Sequence, residues 1–524
     1  MVVESGLAGN RPDAQESRAI SLANVAAFGL AALTLLSAGV VVLAHLGDRY
    51  QIDHVAGSWI GLASYLDSGT FYPELYDGSS FGGTRFMPLY FVLHALLNRV
   101  TGDYLVSGKV LSAAFLIGLI ALTFAIVRRS HVPRSFALLL ASLVLLTESG
   151  IQAASSIRAD GLATVLGIGA VALIESRGPK SVTSASVLAA AATLTKVSAL
   201  WAPVAIAVWL FLHHRRSLVK FAAPFVGILL VFGFITQAAS EGRFLENLGT
   251  LAFGGVEREY AAQKASRYTL TILLEEAPAI WALVPFVLAS WAIAIRERQL
   301  TIYHFAWLAS VVILFVVMTD LGTGINHLLE PIVLSSILLG TAWWARPHGA
   351  LTPMAMVLMI AVLWTSGSVY ALDLRPRAQE VVVPLVRGTD LPQPDIDTLL
   401  AQLRDGSRLL AEDASIPVAR GELPIVLDPW MLSKIEVRHP EWVAQLAQRI
   451  EAAEFDYIVL LFRFESTDPE FSDWYRAHFG RTVMSAIEGR YRWFGEADGF
   501  QLYVPELVPM PTAALVAQTG SDAR

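Results

Sequence analysis

The chain has 524 residues, of which 55% are hydrophobic and 16% are charged, and its mean hydropathy is +0.54. This composition is too apolar for a soluble protein of that length and predicts a polytopic membrane protein. A net charge of −7 without a basic tract excludes a nucleic-acid partner, and the absence of cysteine excludes disulfides, zinc–thiolate sites and cysteine nucleophiles.

The first apolar stretch begins close to the N-terminus. Residues 1–18 are polar and are expected to lie in the cytoplasm, whereas residues 19–46 are long enough to span a bilayer. Because this stretch lacks a small-residue cleavage pattern, we predict a retained first helix. The sequence that follows it, GDRYQIDHVAGSW, places ionisable groups at a predicted membrane surface and opens the first extracytoplasmic loop, residues 47–85.

Apolar segments of membrane-spanning length recur as far as about residue 370. Loops with clustered arginine and lysine are expected in the cytoplasm. Applied together, these rules predict eleven crossings, near residues 20–46, 105–127, 135–150, 158–175, 181–197, 198–212, 219–239, 269–295, 301–320, 327–345 and 351–371. A full crossing at 86–100 would move the basic cluster 128–134 outside, so a short or partly interfacial helix is predicted there. The fold class is an α-helical polytopic membrane protein of about 11 to 13 transmembrane helices.

The C-terminal part has a soluble composition and is predicted to be a small extracytoplasmic α/β domain, residues 372–507. The membrane domain, residues 19–371, has an odd number of predicted crossings, so the C-terminal domain is expected outside. Short β-branched runs at 424–427 and 457–461 flank a predicted amphipathic helix at 441–453. The stretch RYRWFGEADGFQLYVP predicts a hairpin that turns at Asp498 and Gly499. Residues 508–524 are predicted to be a disordered tail.

Several polar residues fall on loops that this topology places on one membrane face. They are Asp48, Tyr72, Glu74, Asp77 and Asp320, together with the residues expected to form the site, Asp53, His54, Arg85, Arg158, Asp160, Lys196, Asn326, His327 and Glu330. Acidic, basic and amide groups on a shared face indicate a site for a charged, hydroxyl-rich ligand.

Each of these residues also has a purely structural interpretation. Asp160 can interact with the dipole of the helix that it begins, and Lys196 can extend towards the membrane surface while its stem stays buried. Asn326 and His327 are common residues at helix starts. Their common side of the membrane, rather than any single residue, is the argument for a site.

The order of motifs resembles a known family. IDHVAGSWIGLASYLDSGTFYPELYDG is followed by TRFMPLYFVLHALLNRVTGDYLVSGKVLSA, then by SIRADGLA and AATLTKVSALWAPVA. This series is similar to the GT-C class of membrane glycosyltransferases, in particular to the group of protein mannosyltransferases and lipid A aminoarabinose transferases. The resemblance covers about residues 20–345. The C-terminal domain resembles no family that we can name.

The resemblance implies roles for individual residues. The family's catalytic aspartate in the first loop aligns with Asp53, and His54 stands where relatives often have a second acid. The phosphate-binding cation that relatives carry just before the P-L-Y helix is displaced, because Met87 is at that position and Arg85 is its substitute. Asp160 matches an aspartate that begins a later helix.

Lys196 matches the lysine of the family's L-T-K motif. No cofactor is assigned, and a divalent metal stays open because His54 replaces an acid.

The resemblance also implies a reaction. It predicts transfer of a sugar from a polyprenyl-phosphate donor to a lipid, glycan or protein acceptor, at the extracytoplasmic face of the plasma (inner) membrane and among membrane lipids. Two alternatives are a secondary transporter of a polar or anionic solute and a non-catalytic scaffold that displays the C-terminal domain. A transporter would show an internal repeat, and we find none. A non-catalytic scaffold would not explain why Lys196 and Asp53 lie on the same membrane face.

Overall fold

The computed structural model describes residues 14–46, 54–252, 279–320, 323–343, 406–464, 478–497 and 500–506, together with positions 357, 360, 361, 403 and 404. These residues form two compact units. The first unit is helical and contains the described residues of 14–73 and 85–361. The second unit contains residues 74–84 and the described residues from 403 onward.

The described part of the first unit has fourteen α-helices. They are α1 (Ala14–Leu46), α2 (His54–Asp67), α3 (Pro88–Thr101), α4 (Tyr104–Arg129), α5 (Arg134–Ser142), α6 (Glu148–Ser155), α7 (Asp160–Arg177), α8 (Val182–Thr195), α9 (Trp201–His213), α10 (Arg215–Ala239), α11 (Arg243–Asn247), α12 (Ala279–Glu297), α13 (Ile302–Val317) and α14 (Leu329–Leu338). Four 3₁₀ turns connect some of them: Leu143–Leu146, Gly178–Ser181, Val197–Leu200 and Ile325–Leu328.

Helix α3 is the short helix that the sequence predicts at 86–100. Its fourteen residues span about 21 Å at 1.5 Å per residue, which is less than the hydrocarbon thickness of a bilayer. It begins at Pro88, where the missing N–H costs no hydrogen bond. It ends at Thr101, and the next residue, Gly102, has a φ of 72°, which only glycine adopts readily. The Asp103 carboxylate then caps α4 by accepting from the backbone N–H of Leu105 at 2.7 Å.

Four helical segments of the described residues are long and apolar enough to cross a membrane: Ile20–Leu43, Tyr104–Arg129, Asp160–Thr195 and Arg215–Ala239. Only 6% of the apolar window in Arg215–Ala239 is buried within the protein, as expected of a helix that faces lipid. The protein is therefore a membrane protein. The predicted crossings at 269–295 and 351–371 lie partly or largely outside the described residues, so the total number of crossings stays a prediction.

The crossing predicted at 135–150 is a broken helix and not a straight one. The segments Arg134–Leu146 and Glu148–Ser155 meet at a bend of 83°. Thr147 starts the second segment, because its hydroxyl accepts from the backbone N–H of Gly150 at 3.3 Å. A Cβ on Gly150 would lie 2.0 Å from the carbonyl oxygen of Val144, so only glycine permits this bend.

The second unit is an α/β fold around a four-stranded sheet of order β1-β2-β4-β3. Its elements are β1 (Leu409–Ala411), α15 (Ser415–Ala419), α16 (Pro429–Arg438), α17 (Pro440–Glu451), β2 (Tyr457–Leu460), α18 (Arg481–Arg490), β3 (Tyr491–Ala497) and β4 (Phe500–Pro505). Strands β1 and β2 are parallel, and the other neighbours are antiparallel. The predicted strand, amphipathic helix and hairpin correspond to β2, α17 and β3–β4.

The first loop is divided between the two units. Residues 74–84, which we call the loop insert, belong to the second unit, although the sequence analysis assigns all of 47–85 to the membrane domain. Phe81 of the insert pairs with Val426 in a parallel β-bridge, so the β-branched run at 424–427 pairs with the insert rather than with the main sheet. The predicted domain boundary at 372 and the predicted tail, 508–524, lie outside the described residues.

Candidate functional site

Two sequence motifs meet at one end of a helical hairpin. Lys196, just after α8, donates from Nζ to Oδ1 of Asp160, the first residue of α7. A straight 36-residue helix would separate these residues by about 50 Å, so the contact requires α7 and α8 to fold back on each other. The pair lies in a largely buried place, since 6% of the Asp160 side chain and 19% of the Lys196 side chain are exposed.

The local conformation explains how these side chains reach each other. Helix α8 ends at Thr195, and Lys196 has an extended backbone, with φ of −155° and ψ of 127°, before the 3₁₀ turn Val197–Leu200 begins. The chain therefore changes direction at Lys196, and its side chain does not follow the helical spacing of α8. Asp160 lies in the first turn of α7, where the positive end of the helix dipole favours a carboxylate. Asp160 is thus an anion held by both a helix terminus and a cation.

Residues from a third part of the chain complete the cluster. The amide of Asn326 donates from Nδ2 to Oδ1 of Asp160 at 2.9 Å, and Nδ1 of His327 lies 3.4 Å from Nζ of Lys196. Both residues are in the 3₁₀ turn Ile325–Leu328. Ser149 of α6 supports this turn, because its hydroxyl donates to the carbonyl of Ile325 at 2.6 Å. The bent helix therefore holds the turn that carries Asn326 and His327.

Arg158 adds a second cation. Its Nη1 lies 3.9 Å from Oδ2 of Asp160, and its side chain is 8% exposed. The backbone N–H of Arg158 donates to Oγ of Ser112 at 3.2 Å, and that hydroxyl lies 3.0 Å from the hydroxyl of Tyr90. Tyr90 belongs to the P-L-Y sequence that begins α3. These buried hydroxyls join α3 and α4 to the loop before α7, and the sequence analysis did not identify them.

Arg85 and Asp320 form a separate ion pair, with Nη1 of Arg85 donating to Oδ2 of Asp320. About a fifth of each side chain is exposed, so the pair is reachable from outside the core. The charge of Arg85 also acts on His327, as does that of Lys196. Asp320 is one of the polar residues that the sequence analysis predicts on this membrane face, but it is given no role in the site there.

Glu330 lies in the first turn of α14 and is 3% exposed. It is close enough to Lys196 and Asp160 for both of their charges to act on it. Its Oε1 has no hydrogen-bond partner among the described residues. A buried carboxyl oxygen without a partner is costly, which makes Glu330 a group available to a ligand with a donor.

The remaining predicted residues are at the start of the first loop. Asp53 lies outside the described residues, and His54 begins α2, with a side chain that the structure does not describe. Helix α2 is fixed at its other end, because the Asp67 carboxylate accepts from Arg99 at 3.1 Å and from the hydroxyl of Tyr104 at 2.9 Å. The structure thus brings together Arg158, Asp160, Lys196, Asn326, His327 and Glu330, and it pairs Arg85 with Asp320.

The cluster suits an anionic ligand. Three permanent cations, Arg85, Arg158 and Lys196, lie in an apolar unit near the carboxyl groups of Asp160, Asp320 and Glu330, and two of the cations remain partly accessible. A phosphate can replace an aspartate as their partner, since arginine and lysine both bind phosphate oxygens. Among the described residues, no three His, Asp or Glu side chains are grouped so that they could hold a metal ion.

No protein-family model and no curated protein sequence matches this chain. Solved structures do. The crystal structure of ArnT from Cupriavidus metallidurans in the apo state is similar with a TM-score of 0.56 and 13% identity, over 91% of this chain and 97% of that chain. ArnT bound to undecaprenyl phosphate gives a TM-score of 0.54 and 12% identity, over 90% of this chain and 97% of that chain.

An archaeal protein has a similar structure as well. The Archaeoglobus fulgidus oligosaccharyltransferase in complex with Zn and sulfate gives a TM-score of 0.52 and 12% identity, over 90% of this chain and 73% of that chain. ArnT is a lipid A aminoarabinose transferase, and both proteins are GT-C glycosyltransferases. These likenesses confirm the GT-C fold that the order of motifs predicts.

Proposed function

We propose that this chain, which has the GT-C fold, is a membrane glycosyltransferase that uses a polyprenyl-phosphate sugar as donor. The acceptor is a hydroxyl or amine of a lipid, glycan or protein, and the reaction takes place at the extracytoplasmic face. Undecaprenyl phosphate is the ligand in one of the similar structures, and a lipid of this kind suits a charged cluster within an apolar helical unit.

The observation that carries the proposal is the cluster around Asp160. Lys196, Arg158 and Asn326 come from three separate parts of the chain and converge on one carboxylate. A single structural ion pair needs one cation, whereas Asp160 faces two permanent cations, and 19% of the Lys196 side chain is exposed. A phosphate that reaches this place can bind both cations, since arginine and lysine both bind phosphate oxygens.

In the proposed reaction, the acceptor heteroatom attacks the anomeric carbon of the donor sugar. A new bond forms to that carbon, while its bond to the phosphate oxygen breaks and the electron pair leaves with the polyprenyl phosphate. Arg85 and Lys196 stabilise the charge that builds on this oxygen, Arg85 through its planar fork and Lys196 as a point charge. Arg158 and Asn326 keep Asp160 in place, His327 offers a polar contact to the phosphate or the sugar, and Glu330 offers an acceptor to a sugar hydroxyl.

Asp53 is assigned as the base that takes the acceptor proton, on the strength of its match to the family motif. His54 is assigned to orient this base or to contact the acceptor. By analogy with the family, the sugar is inverted in a single displacement, and no step is routed through a metal.

The test is transfer of labelled sugar from polyprenyl-phosphate donors by the purified full-length protein. We expect Lys196→Ala to reduce transfer by about 100-fold or more, because it removes charge from a preorganised site. Lys196→Arg should keep more activity than Lys196→Ala.

The matched control is Lys180→Ala, which removes an exposed lysine at the opposite end of the same helical hairpin and should leave transfer unchanged. Equal rates for the wild type, Lys196→Ala and Lys180→Ala would place the phosphate site elsewhere. Absence of transfer from every polyprenyl-phosphate donor, with solute uptake into vesicles instead, would favour a transporter.

A further inference from the structure

Helix α4 carries a lysine within its apolar sequence. Lys109 lies about 8 Å along the helix axis from the first residue of α4, Tyr104. The helix is one of the segments that are long and apolar enough to cross a membrane. Its other basic residues, Arg128 and Arg129, are in the last turn, at the predicted cytoplasmic end. Lys109 therefore differs from them, because it lies inside the apolar segment and close to its other end.

The side chain of Lys109 is enclosed by protein, since the residue is 4% exposed. Val106 and Val110 of the same helix are each 46% exposed, so α4 has a side that faces outward and Lys109 is not on it. A lysine that only extends its ammonium to the membrane surface would be partly exposed. Buried ionisable groups in membrane-spanning segments are costly, and they commonly belong to binding sites.

The neighbouring surface of α4 packs on the loop before α7. A Cβ on Gly108 would lie 2.7 Å from Cγ2 of Ile157, so α4 approaches this loop as closely as a glycine permits. One turn further along, Oγ of Ser112 accepts from the backbone N–H of Arg158 at 3.2 Å. Lys109 and Ser112 are three positions apart, so their Cβ atoms are about 5–6 Å from each other. Lys109 is thus next to the residue that holds Arg158.

Tyr90 of α3 fixes this turn of α4. Its hydroxyl lies 3.0 Å from Oγ of Ser112 and 3.5 Å from the carbonyl oxygen of Gly108. The Tyr90 ring is fully buried, and Trp59 of α2 packs edge-on against it with ring centres 4.9 Å apart. All of these residues belong to the first unit. Helices α2 and α3 therefore hold the turn that carries Lys109 in place beside Arg158.

The carboxylate of Asp160 already has two cationic partners, Arg158 and Lys196, so Lys109 is not needed to neutralise it. A fixed cation in an enclosed, apolar place acts on an anion more strongly than it would in water. We infer that Lys109 is a further binding residue for the phosphate of the polyprenyl-phosphate donor, on the α4 side of the cluster around Asp160. This inference rests on the proposed function. Lysine binds phosphate as a point charge, so the role depends on charge rather than on shape.

The test compares the binding of two lipids to the purified full-length protein. Undecaprenyl phosphate carries the charge, and undecaprenol has the same isoprenoid chain without it. Lys109→Met removes the charge and keeps a long side chain, so it should weaken binding of undecaprenyl phosphate by about 10-fold or more. Binding of undecaprenol should stay at the wild-type value, and Lys109→Arg should keep most of the affinity for the phosphate.

Inorganic phosphate is the third ligand in the test. It should compete only weakly with undecaprenyl phosphate, because it lacks the chain that the apolar helices hold. Displacement of the lipid by inorganic phosphate at equal concentration would assign the site to free phosphate and would overturn the inference.

The matched control is Thr123→Val in the same helix. Thr123 is 2% exposed and lies about 21 Å further along α4, so this change removes a buried polar group far from the cluster. It should leave the affinities for both lipids unchanged.

Two results would show that Lys109 is only a structural residue. They are an equal loss of affinity for both lipids in Lys109→Met, and an unchanged affinity for undecaprenyl phosphate in the folded variant. If Lys109→Met does not fold, Lys109→Gln, which keeps polar atoms without the charge, is measured in the same way. A wild type that binds undecaprenyl phosphate no better than undecaprenol would instead overturn the proposed function.

Discussion

At the scale of single residues, the partners of Lys196 distinguish it from a lysine that only extends towards the membrane surface. A lysine at the end of an apolar helix can simply extend towards water. Here its ammonium binds Asp160, which also accepts from Asn326 and faces Arg158. Removal of one partner from such a group leaves a buried charge uncompensated, so substitutions in this cluster are expected to affect folding as well as transfer. Stability has to be measured beside activity for each of them.

Asp53 and Asp48 provide a matched pair at the start of the first loop. If Asp53 is the base, Asp53→Asn should lower transfer by about 100- to 10,000-fold with little change in donor affinity, because the amide keeps the size but cannot take the proton. Asp48→Asn should be much milder, since we assign Asp48 to the membrane surface, and His54→Ala should have a partial effect. Initial transfer rates and donor affinities of the purified variants show whether Asp53 acts as the base. Similar small effects for both aspartates would mean that Asp53 only ends a helix.

At the scale of elements, the bend between α5 and α6 links helix geometry to the site. The bend lets α6 support the 3₁₀ turn that carries Asn326 and His327, through the hydrogen bond from Ser149 to Ile325. A straight helix at 135–150 would point these residues elsewhere. The bend depends on one residue without a side chain, because any Cβ at Gly150 meets the backbone of Val144.

Gly150→Ala is therefore expected to destabilise the protein by about 1–3 kcal/mol, the usual cost of overpacking. The control is Gly227→Ala within α10, where a Cβ meets nothing within 4 Å. This change should be neutral, or stabilising by up to about 1 kcal/mol, because alanine favours a helix over glycine. Thermal unfolding in detergent measures both. If the two variants unfold alike, the bend does not require glycine.

At the scale of the whole molecule, the orientation in the membrane decides whether the candidate site faces the extracytoplasmic side. Helix α10 has 25 residues and a length of about 37 Å, which is enough for its two ends to reach opposite membrane faces. Arg215 and Arg216 at its start predict a cytoplasmic N-terminal end. The same rule predicts that the end of α10 and the polar cluster lie outside.

The absence of native cysteine allows a direct test of this orientation. His214 and Glu241 are both exposed and flank α10. In intact cells, a cysteine at Glu241 should react with a membrane-impermeant thiol reagent, and a cysteine at His214 should react only after permeabilisation. The reverse pattern would place the site in the cytoplasm and would exclude an extracytoplasmic reaction.

The sequence by itself determined the membrane character, the short helix α3, the elements β2 and α17, the β3–β4 hairpin and the GT-C fold. It also identified most of the charged cluster. The GT-C fold was predicted from the resemblance of the motif order to a known family. The other features follow from local rules, since hydropathy, turn residues and helix signals act over neighbouring positions. A lysine between two apolar helices, such as Lys196, can be recognised in the same way.

Only the tertiary structure decided which polar groups meet. Asp320 pairs with Arg85 across 235 positions, and Ser112 and Tyr90 support Arg158 from two other helices. The loop insert joins the second unit through contacts with residues more than 300 positions later. No local pattern encodes these pairings, because they depend on the distance to which two packed helices can approach each other. Gly167, where a Cβ would lie 2.7 Å from the ring of Trp201, shows how one small residue sets that distance.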